Sequence, residues 1–116
     1  MQRLWGVAVH GGVDVVLNGH EHVYERFRRK RAQGRPVSDA NRGPGAREFV
    51  VGTGGRGGNG GFGRPLPGSQ ARWPSAGAAD VFGALKLRLA PGAYRWKMLD
   101  ASGGVVDAGG PVRCRG

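Results

Sequence analysis

Residues 12–27 read GVDVVLNGHEHVYERF, and the strand that they predict organises the rest of the chain. The first half is a run of β-branched and aliphatic side chains, residues 13–17, interrupted only by Asp14, which is typical of a short buried strand. An Asn-Gly pair then interrupts the run, because neither residue favours a strand interior. We therefore expect a strand that is followed at once by a loop, and this loop holds two histidines.

The segments on either side predict further short elements. Residues 4–9 are mostly apolar and are followed by two glycines, the usual end of a helix, because glycine adopts positive φ without a steric penalty. Residues 49–51, Phe-Val-Val, predict a second short strand. Residues 28–46 predict a long basic surface loop, and residues 52–77 are again rich in glycine and proline.

The last third of the chain has the most regular pattern. Residues 85–89 and 94–98 each alternate between apolar and basic side chains, and Pro91-Gly92 lies between them, so the two runs predict a β-hairpin. Val105-Val106 predicts a third strand of an antiparallel meander. The buried face of this meander is expected to carry Leu85, Leu87, Leu89, Tyr94, Trp96 and Met98.

The charge balance favours anionic partners. The chain has 18 Lys and Arg against 8 Asp and Glu, a net charge of +10. We interpret the densest basic run, residues 26–31, as a solvated loop of charge rather than a nucleic-acid patch. The single cysteine, Cys114, excludes an internal disulfide and a CxxC redox pair. No apolar run is long enough to predict a transmembrane segment, and no secretory signal is visible.

His20 and His22 are the candidate metal ligands. In extended backbone, side chains at i and i+2 point to the same side, and neutral imidazole is a good ligand for zinc and iron. The spacing alone is equally consistent with two ordinary loop histidines, and zinc needs three or four protein ligands. The candidate oxygen ligands nearby are Asp14, Glu21 and Glu25.

Residues 12–27 resemble the C-terminal signature of the calcineurin-like metallophosphoesterases. The likeness is closest to the purple acid phosphatase-like branch, in which a hydrophobic strand runs into GHxHxYER. It continues in the same order at residues 47–55 (REFVVGTGG), 82–87 and 94–96. The resemblance thus covers most of the chain.

This resemblance implies a binuclear-metal phosphoesterase that hydrolyses phosphate esters by means of a metal-activated hydroxide. By the same resemblance, His20 binds one metal ion and His22 the other, and the ions are divalent or trivalent Fe, Zn or Mn. Tyr24, Glu25 and Arg26 match family positions that we assign to support of the loop, so no catalytic residue is expected in this chain. Relatives in this branch are often exported.

The family's earlier motifs, DxH, GDxxD and GNHE, are absent. We therefore expect residues 1–116 to be the C-terminal part of an incomplete metallophosphoesterase domain that is inactive by itself. The expected fold class is α/β: a partial metallophosphoesterase α/β sandwich, of which this fragment is mostly antiparallel β with one short N-terminal helix. His10 is interpreted as an ordinary helix-end histidine rather than a ligand.

Two other classes of protein stay open. A basic, Gly/Arg-rich nucleic-acid-binding module would use Arg56-Gly57-Gly58, but a single RGG unit is little evidence, and no stable nucleic-acid partner is expected. A non-catalytic β module fits the meander but leaves residues 12–27 unexplained.

Residues 52–57 match G-x-G-x-x-G, yet residues 59–65 cannot form the helix that a dinucleotide site needs.

Overall fold

The computed structural model describes residues 2–40, 43–55, 64–74 and 82–115. Within these ranges the chain forms one short helix and seven strands in two sheets. The expectation of a mostly β chain with one short N-terminal helix is confirmed. The helix in this part of the chain lacks the length and the apolar character that a membrane span requires.

Helix α1 spans Gln2–His10 and ends where the two glycines predict. Gly12 adopts a φ of 86°. The N–H of Val13 donates to the Ala8 carbonyl at 3.0 Å, and the N–H of Gly12 donates to the Val9 carbonyl at 3.1 Å. These bonds and the left-handed glycine form a Schellman motif, which satisfies the last carbonyls of the helix.

The end of α1 is also tied to the C-terminal end of the described chain. The Arg115 guanidinium donates from Nη1 to the Val9 carbonyl at 2.9 Å, and the Arg115 backbone N–H donates to Oδ1 of Asp14 at 2.8 Å. A cation at this position interacts favourably with the helix dipole. His10 is the last residue of α1, in agreement with its interpretation as a helix-end residue.

The first sheet contains four strands, β1 at Val15–Asn18, β2 at Tyr24–Phe27, β3 at Arg47–Val51 and β4 at Ser69–Trp73, in the order β1-β3-β2-β4. Strands β1 and β3 are parallel, whereas β2 is antiparallel to both β3 and β4. The strands predicted near residues 13–17 and 49–51 are confirmed, but β2 and β4 were not predicted because neither has a clear alternation of apolar residues.

The second sheet is the predicted antiparallel meander, with β5 at Gly83–Ala90, β6 at Ala93–Asp100 and β7 at Val105–Arg113. Its third strand is longer than the sequence predicts. The expected buried face is confirmed for β6, and Leu85 and Leu87 pack against the core. The prediction that Leu89 is buried is wrong, because the residue is 74% exposed. It lies next to the turn on an edge strand, beyond the reach of the core.

The two sheets pack against each other through a largely aromatic core. Phe49 of β3 meets Trp96 of β6 edge to face, with 5.5 Å between the ring centroids. Gly109 pairs with Trp96, and a Cβ at Gly109 would lie 2.1 Å from the indole ring, so only glycine fits there. The core consists of Tyr24, Phe49, Tyr94, Trp96, Met98 and Val112.

The basic segment after β2 is partly buried, which corrects the prediction of a fully solvated run. Arg29 is only 2% exposed. Its guanidinium donates to the carbonyls of Ser38 at 3.1 Å and Gly43 at 3.0 Å. A guanidinium can be buried when its N–H groups find acceptors, and here it organises the surrounding loop. The RGG unit, Arg56-Gly57-Gly58, lies outside the described residues.

Candidate metal centre

The two predicted metal ligands lie where the parallel strands of the first sheet end. Strand β1 ends at Asn18 and β3 at Val51. Because these strands are parallel, their carboxyl ends meet at the same edge of the sheet. The loop after β1 contains His20 and His22, and the loop after β3 begins with Gly52. Ligand sites of α/β proteins form at such strand ends.

Two consecutive three-residue turns shape the histidine loop. The N–H of Glu21 donates to the Gly19 carbonyl at 3.0 Å, which places His20 at the centre of the first turn. The N–H of Val23 donates to the Glu21 carbonyl at 2.8 Å, which places His22 at the centre of the second. Hydrogen bonds between residues i and i+2 define γ-turns. Each histidine therefore occupies the apex of a tight turn.

This geometry corrects the expectation that the two histidines lie in extended backbone. The pairing of β1 with β3 stops at Asn18, so no neighbouring strand holds the following residues extended. The φ of His20 is 77°, the only positive φ of a non-glycine residue in the described part of the chain. Such a conformation costs on the order of 1–3 kcal/mol, and strain of this kind clusters at ligand sites.

Gly52 supports the histidine loop from the end of β3. Its N–H donates to the Val23 carbonyl at 2.9 Å. A Cβ on Gly52 would lie 1.7 Å from the Glu21 carbonyl oxygen and 3.1 Å from the Cα of His22. Only glycine lets the backbone approach this closely. The glycine turn after β3 thus packs directly against the loop that carries the two histidines.

The two imidazoles have different surroundings. His20 is exposed, whereas His22 is half-buried. The Nδ1 atom of His22 is buried and has no hydrogen-bond partner among the described residues. An unsatisfied buried polar atom costs roughly 1–3 kcal/mol. Since an imidazole nitrogen is a ligand for zinc and iron, this atom fits the role of a metal donor.

The nearby acidic residues do not complete a site. Asp14 accepts the backbone N–H of Arg115, and Glu25 lies 3.5 Å from Nε of Arg72. Glu21 is exposed between the two histidines. In residues 2–40, 43–55, 64–74 and 82–115, no three His, Cys, Asp or Glu side chains are grouped closely enough to hold a metal ion. The donor set therefore fits part of a metal site and requires further ligands.

A cleft of about 460 Å³ opens beside the histidine loop, between the ends of β1 and β3 and the start of β5. Buried Thr53 fixes the distance across it. Its Oγ1 donates to the Gly83 carbonyl at 3.0 Å, and the Gly83 N–H donates to the Thr53 carbonyl at 3.1 Å. Asn18, Gly19 and Gly54 line the cleft near the histidines. The second sheet thus forms one wall of this cleft, which adjoins the histidine loop at Gly19.

Asp107 of β7 gathers three donors from both sheets. The Tyr24 hydroxyl donates to its Oδ2 at 2.5 Å, Nε of Arg26 at 2.8 Å, and Nε1 of Trp96 at 3.2 Å. The expectation that Arg26 is solvated is wrong, because its guanidinium pairs with Asp107 and lies over the Trp96 ring. These contacts give Tyr24 and Arg26 a structural role that joins β2 to β7.

The protonation states of this cluster follow from its contacts. Burial disfavours the Asp107 carboxylate, but hydrogen bonds from Arg26 and Tyr24 outweigh it and lower the pKa of Asp107. Burial and the hydrogen bond to Asp107 raise the pKa of Tyr24 far above its ordinary value. At neutral pH a phenol therefore faces a carboxylate.

Sequence reasoning missed Asp107, whose only signal is a lone acid in a strand of small and apolar residues.

Comparison with known protein families, with curated proteins and with solved structures finds no match for this chain. What the histidine loop does must therefore be inferred from its own residues and geometry.

Proposed function

We propose that this chain supplies His20 and His22 to the two-metal centre of a phosphoesterase that hydrolyses phosphate esters. The observation that carries the proposal is the pair of successive γ-turns at the carboxyl end of β1, each with a histidine at its apex. The strained φ of His20 and the partnerless Nδ1 of His22 in the described chain support it, since both are costs that ligand binding would offset.

The chemistry of the donors agrees with iron, zinc or manganese. Bound metal ions would act as Lewis acids toward a phosphate ester and toward water. Within this chain, the two turns hold the imidazoles in place and Gly52 holds the turns. The net charge of +10 favours an anionic substrate. The remaining ligands must come from residues beyond this histidine loop.

We further propose that the two sheets are part of a larger α/β sandwich of the metallophosphoesterase type. Strand β1 is an edge strand of apolar residues that pairs with β3, and Leu17 is 56% exposed. Helix α1 exposes Leu4 and Val7, at 68% and 69%. Parallel strands are usually covered on both faces and continued by further strands. Additional strands and a helix beside β1 would cover these residues and bring the missing ligands.

A metal titration followed by NMR tests the ligand role in this chain. Addition of Zn²⁺ is expected to shift the imidazole signals of His20 and His22 together, at roughly millimolar concentration because two ligands bind weakly. His10, at the end of α1, is the matched control and should not respond. An equal response of all three histidines would show nonspecific binding and would contradict the proposal.

The phosphoesterase role is tested in a protein in which this chain is joined to a segment that carries the remaining ligands. There, His20→Ala and His22→Ala should each remove metal and lower hydrolysis of p-nitrophenyl phosphate or its diester by at least about 100-fold, because the loss of a residue that only supports a ligand already costs about 10–100-fold. His10→Ala should leave both unchanged. Full activity of the His20→Ala/His22→Ala double variant would exclude the proposed function.

A further inference from the structure

The outer face of the second sheet carries an unpaired array of cations. Strands β5 and β6 pair so that Lys86 lies directly opposite Lys97 and Arg88 directly opposite Arg95. All four side chains are exposed, and they alternate with residues that point to the core. Directly opposed residues have Cβ atoms only about 4.5–5.5 Å apart, and like charges at this distance destabilise a sheet. Arg113 of β7 extends the array.

Neither of the two acids nearest to this face in the described chain balances these charges. Asp107 of β7 points to the opposite face, where it binds Tyr24 and Arg26. Asp100, at the end of β6, accepts hydrogen bonds from its own turn at Ser102. In the described part of the chain, none of the five cations of this face forms an ion pair within 4 Å. The repulsion between these cations persists in the folded chain, and binding of an anionic partner would relieve it.

Small residues give a partner access to the cations. Strand β7 contributes Ala108, Gly109 and Gly110 beside them, and together they line an open trough of about 420 Å³. Successive cations on one strand are about 7 Å apart, since a strand rises about 3.4 Å per residue. This spacing is close to the distance between successive phosphates of a nucleic-acid strand. The array thus matches a linear row of phosphates better than a single small anion.

We propose that the outer face of the second sheet, Lys86, Arg88, Arg95, Lys97 and Arg113, binds the phosphate backbone of double-stranded nucleic acid. In the described strands the aromatic side chains of this sheet, Tyr94 and Trp96, are buried in the core and offer no surface on which an unpaired base could stack, so the affinity comes from phosphates. Phosphate density is higher along a duplex than along a single strand. An anionic membrane fits less well, because among the described residues the cations lie next to alanines such as Ala93 and Ala108, and the exposed Val105 lies only at the far end of the array.

These cations differ from the basic run and the RGG unit that the sequence singled out, and the inference does not rest on the metal site. Its test is fluorescence anisotropy with a labelled 20-base-pair duplex at a series of salt concentrations. Five phosphate contacts predict that log K falls with log salt with a slope of about −4.5. The variant Lys86→Gln/Arg88→Gln/Arg95→Gln/Lys97→Gln should lose at least tenfold in affinity at 0.1 M salt, and its slope should become shallower by about 3 to 4.

The matched control is Arg31→Gln/Arg35→Gln, which removes exposed cations from a different surface. The affinity of this control for the duplex should stay within about threefold of that of the native chain, and its salt slope should be shallower by less than about 1. Circular dichroism should show that both variants keep the strand content, since removal of opposed like charges does not weaken the sheet.

Each other outcome overturns the inference. An equal loss per removed charge in the face variant and in the control would mean that net charge alone drives binding. Tighter binding of a single strand than of the duplex would contradict the backbone argument. Binding to phosphatidylserine vesicles without binding to the duplex would assign the face to a membrane. The absence of binding to all three probes would leave the face without an anionic partner.

Discussion

The Cα of Gly52 lies so close to the Glu21–His22 peptide that a Cβ on Gly52 would be 1.7 Å from the Glu21 carbonyl oxygen. This contact joins the end of β3 to the loop that follows β1. Gly52→Ala should therefore displace the histidine loop and lower the free energy of unfolding by about 3 kcal/mol, the cost of overpacking a tight site.

Urea unfolding of this variant measures the loss, and the NMR signals of His20 and His22 report the displacement. Gly54→Ala is the control, since nothing lies within 4 Å of a Cβ at Gly54. It should change stability by less than about 0.5 kcal/mol. Equal stability of the two variants would show that the loop is not braced by Gly52.

Asp107→Asn should weaken the contact between the two sheets. The substitution removes the charged acceptor of Tyr24, Arg26 and Trp96, and it leaves the Arg26 cation half-buried without its partner. We expect a loss of about 2 kcal/mol in the free energy of unfolding, measured by urea titration. Asp100→Asn, in an exposed turn, should have a smaller effect; a larger effect at Asp100 would contradict the central role of Asp107.

The contribution of Asp107 should depend on pH in a defined direction. Its pKa in the folded protein is below the ordinary value of 3.8, so its stabilisation is fully present above that value and is lost as the pH falls through the folded pKa. The difference in stability between the native chain and Asp107→Asn should be constant from pH 7 to about pH 5 and should shrink toward pH 3 and below. A difference that grows on acidification would contradict the lowered pKa.

Arg29→Ala should loosen the loop between β2 and β3. Buried Arg29 donates to the carbonyls of Ser38, Gly43 and Gly45, and its removal leaves these acceptors without the guanidinium. We expect a loss of about 2–3 kcal/mol in the free energy of unfolding and faster hydrogen exchange in residues 30–40 and 43–46. Arg28→Ala is the matched control, because Arg28 is exposed. Similar exchange in both variants would argue against an organising role for Arg29.

Lys97→Glu should stabilise the second sheet, because it replaces a like-charge pair with Lys86 by an opposite-charge pair. The expected gain in the free energy of unfolding is roughly 0.2–1 kcal/mol. It should appear as a higher urea midpoint than that of the native chain at low salt, and this increase should be smaller at high salt. Lys97→Gln removes the repulsion without adding attraction, so its urea midpoint should lie between that of the native chain and that of Lys97→Glu. A lower midpoint for Lys97→Glu would mean that the opposed lysines do not repel each other.

The elements that could be predicted are those whose pattern is local. The glycines after α1, the aliphatic run of β1 and the alternation of β5 and β6 each specify structure within a few residues. Strand β2 could not be predicted, because Tyr-Glu-Arg-Phe acquires its role only from β3 and β4 on either side and from Asp107, 81 residues from Arg26 in sequence. The burial of Arg29 depends in the same way on carbonyls that the later loop supplies.

The candidate site likewise has features that the sequence predicts and features that it does not. The sequence identifies His20 and His22 as the residues of interest and places them in a loop after a strand, which the structure confirms. The turn geometry could not be predicted, because it depends on where β1 stops pairing with β3 and on the approach of Gly52. Whether the imidazoles bind metal stays a prediction.

The bond from Arg115 to the Val9 carbonyl spans 106 positions of the sequence. Helix α1 therefore gains this partner only after β7 has been synthesised and has docked on β6. Contacts of such long sequence separation form late and slow folding. During synthesis α1 leaves the ribosome well before β7, so the hydrogen bonding of its C-terminal end would be completed late in folding.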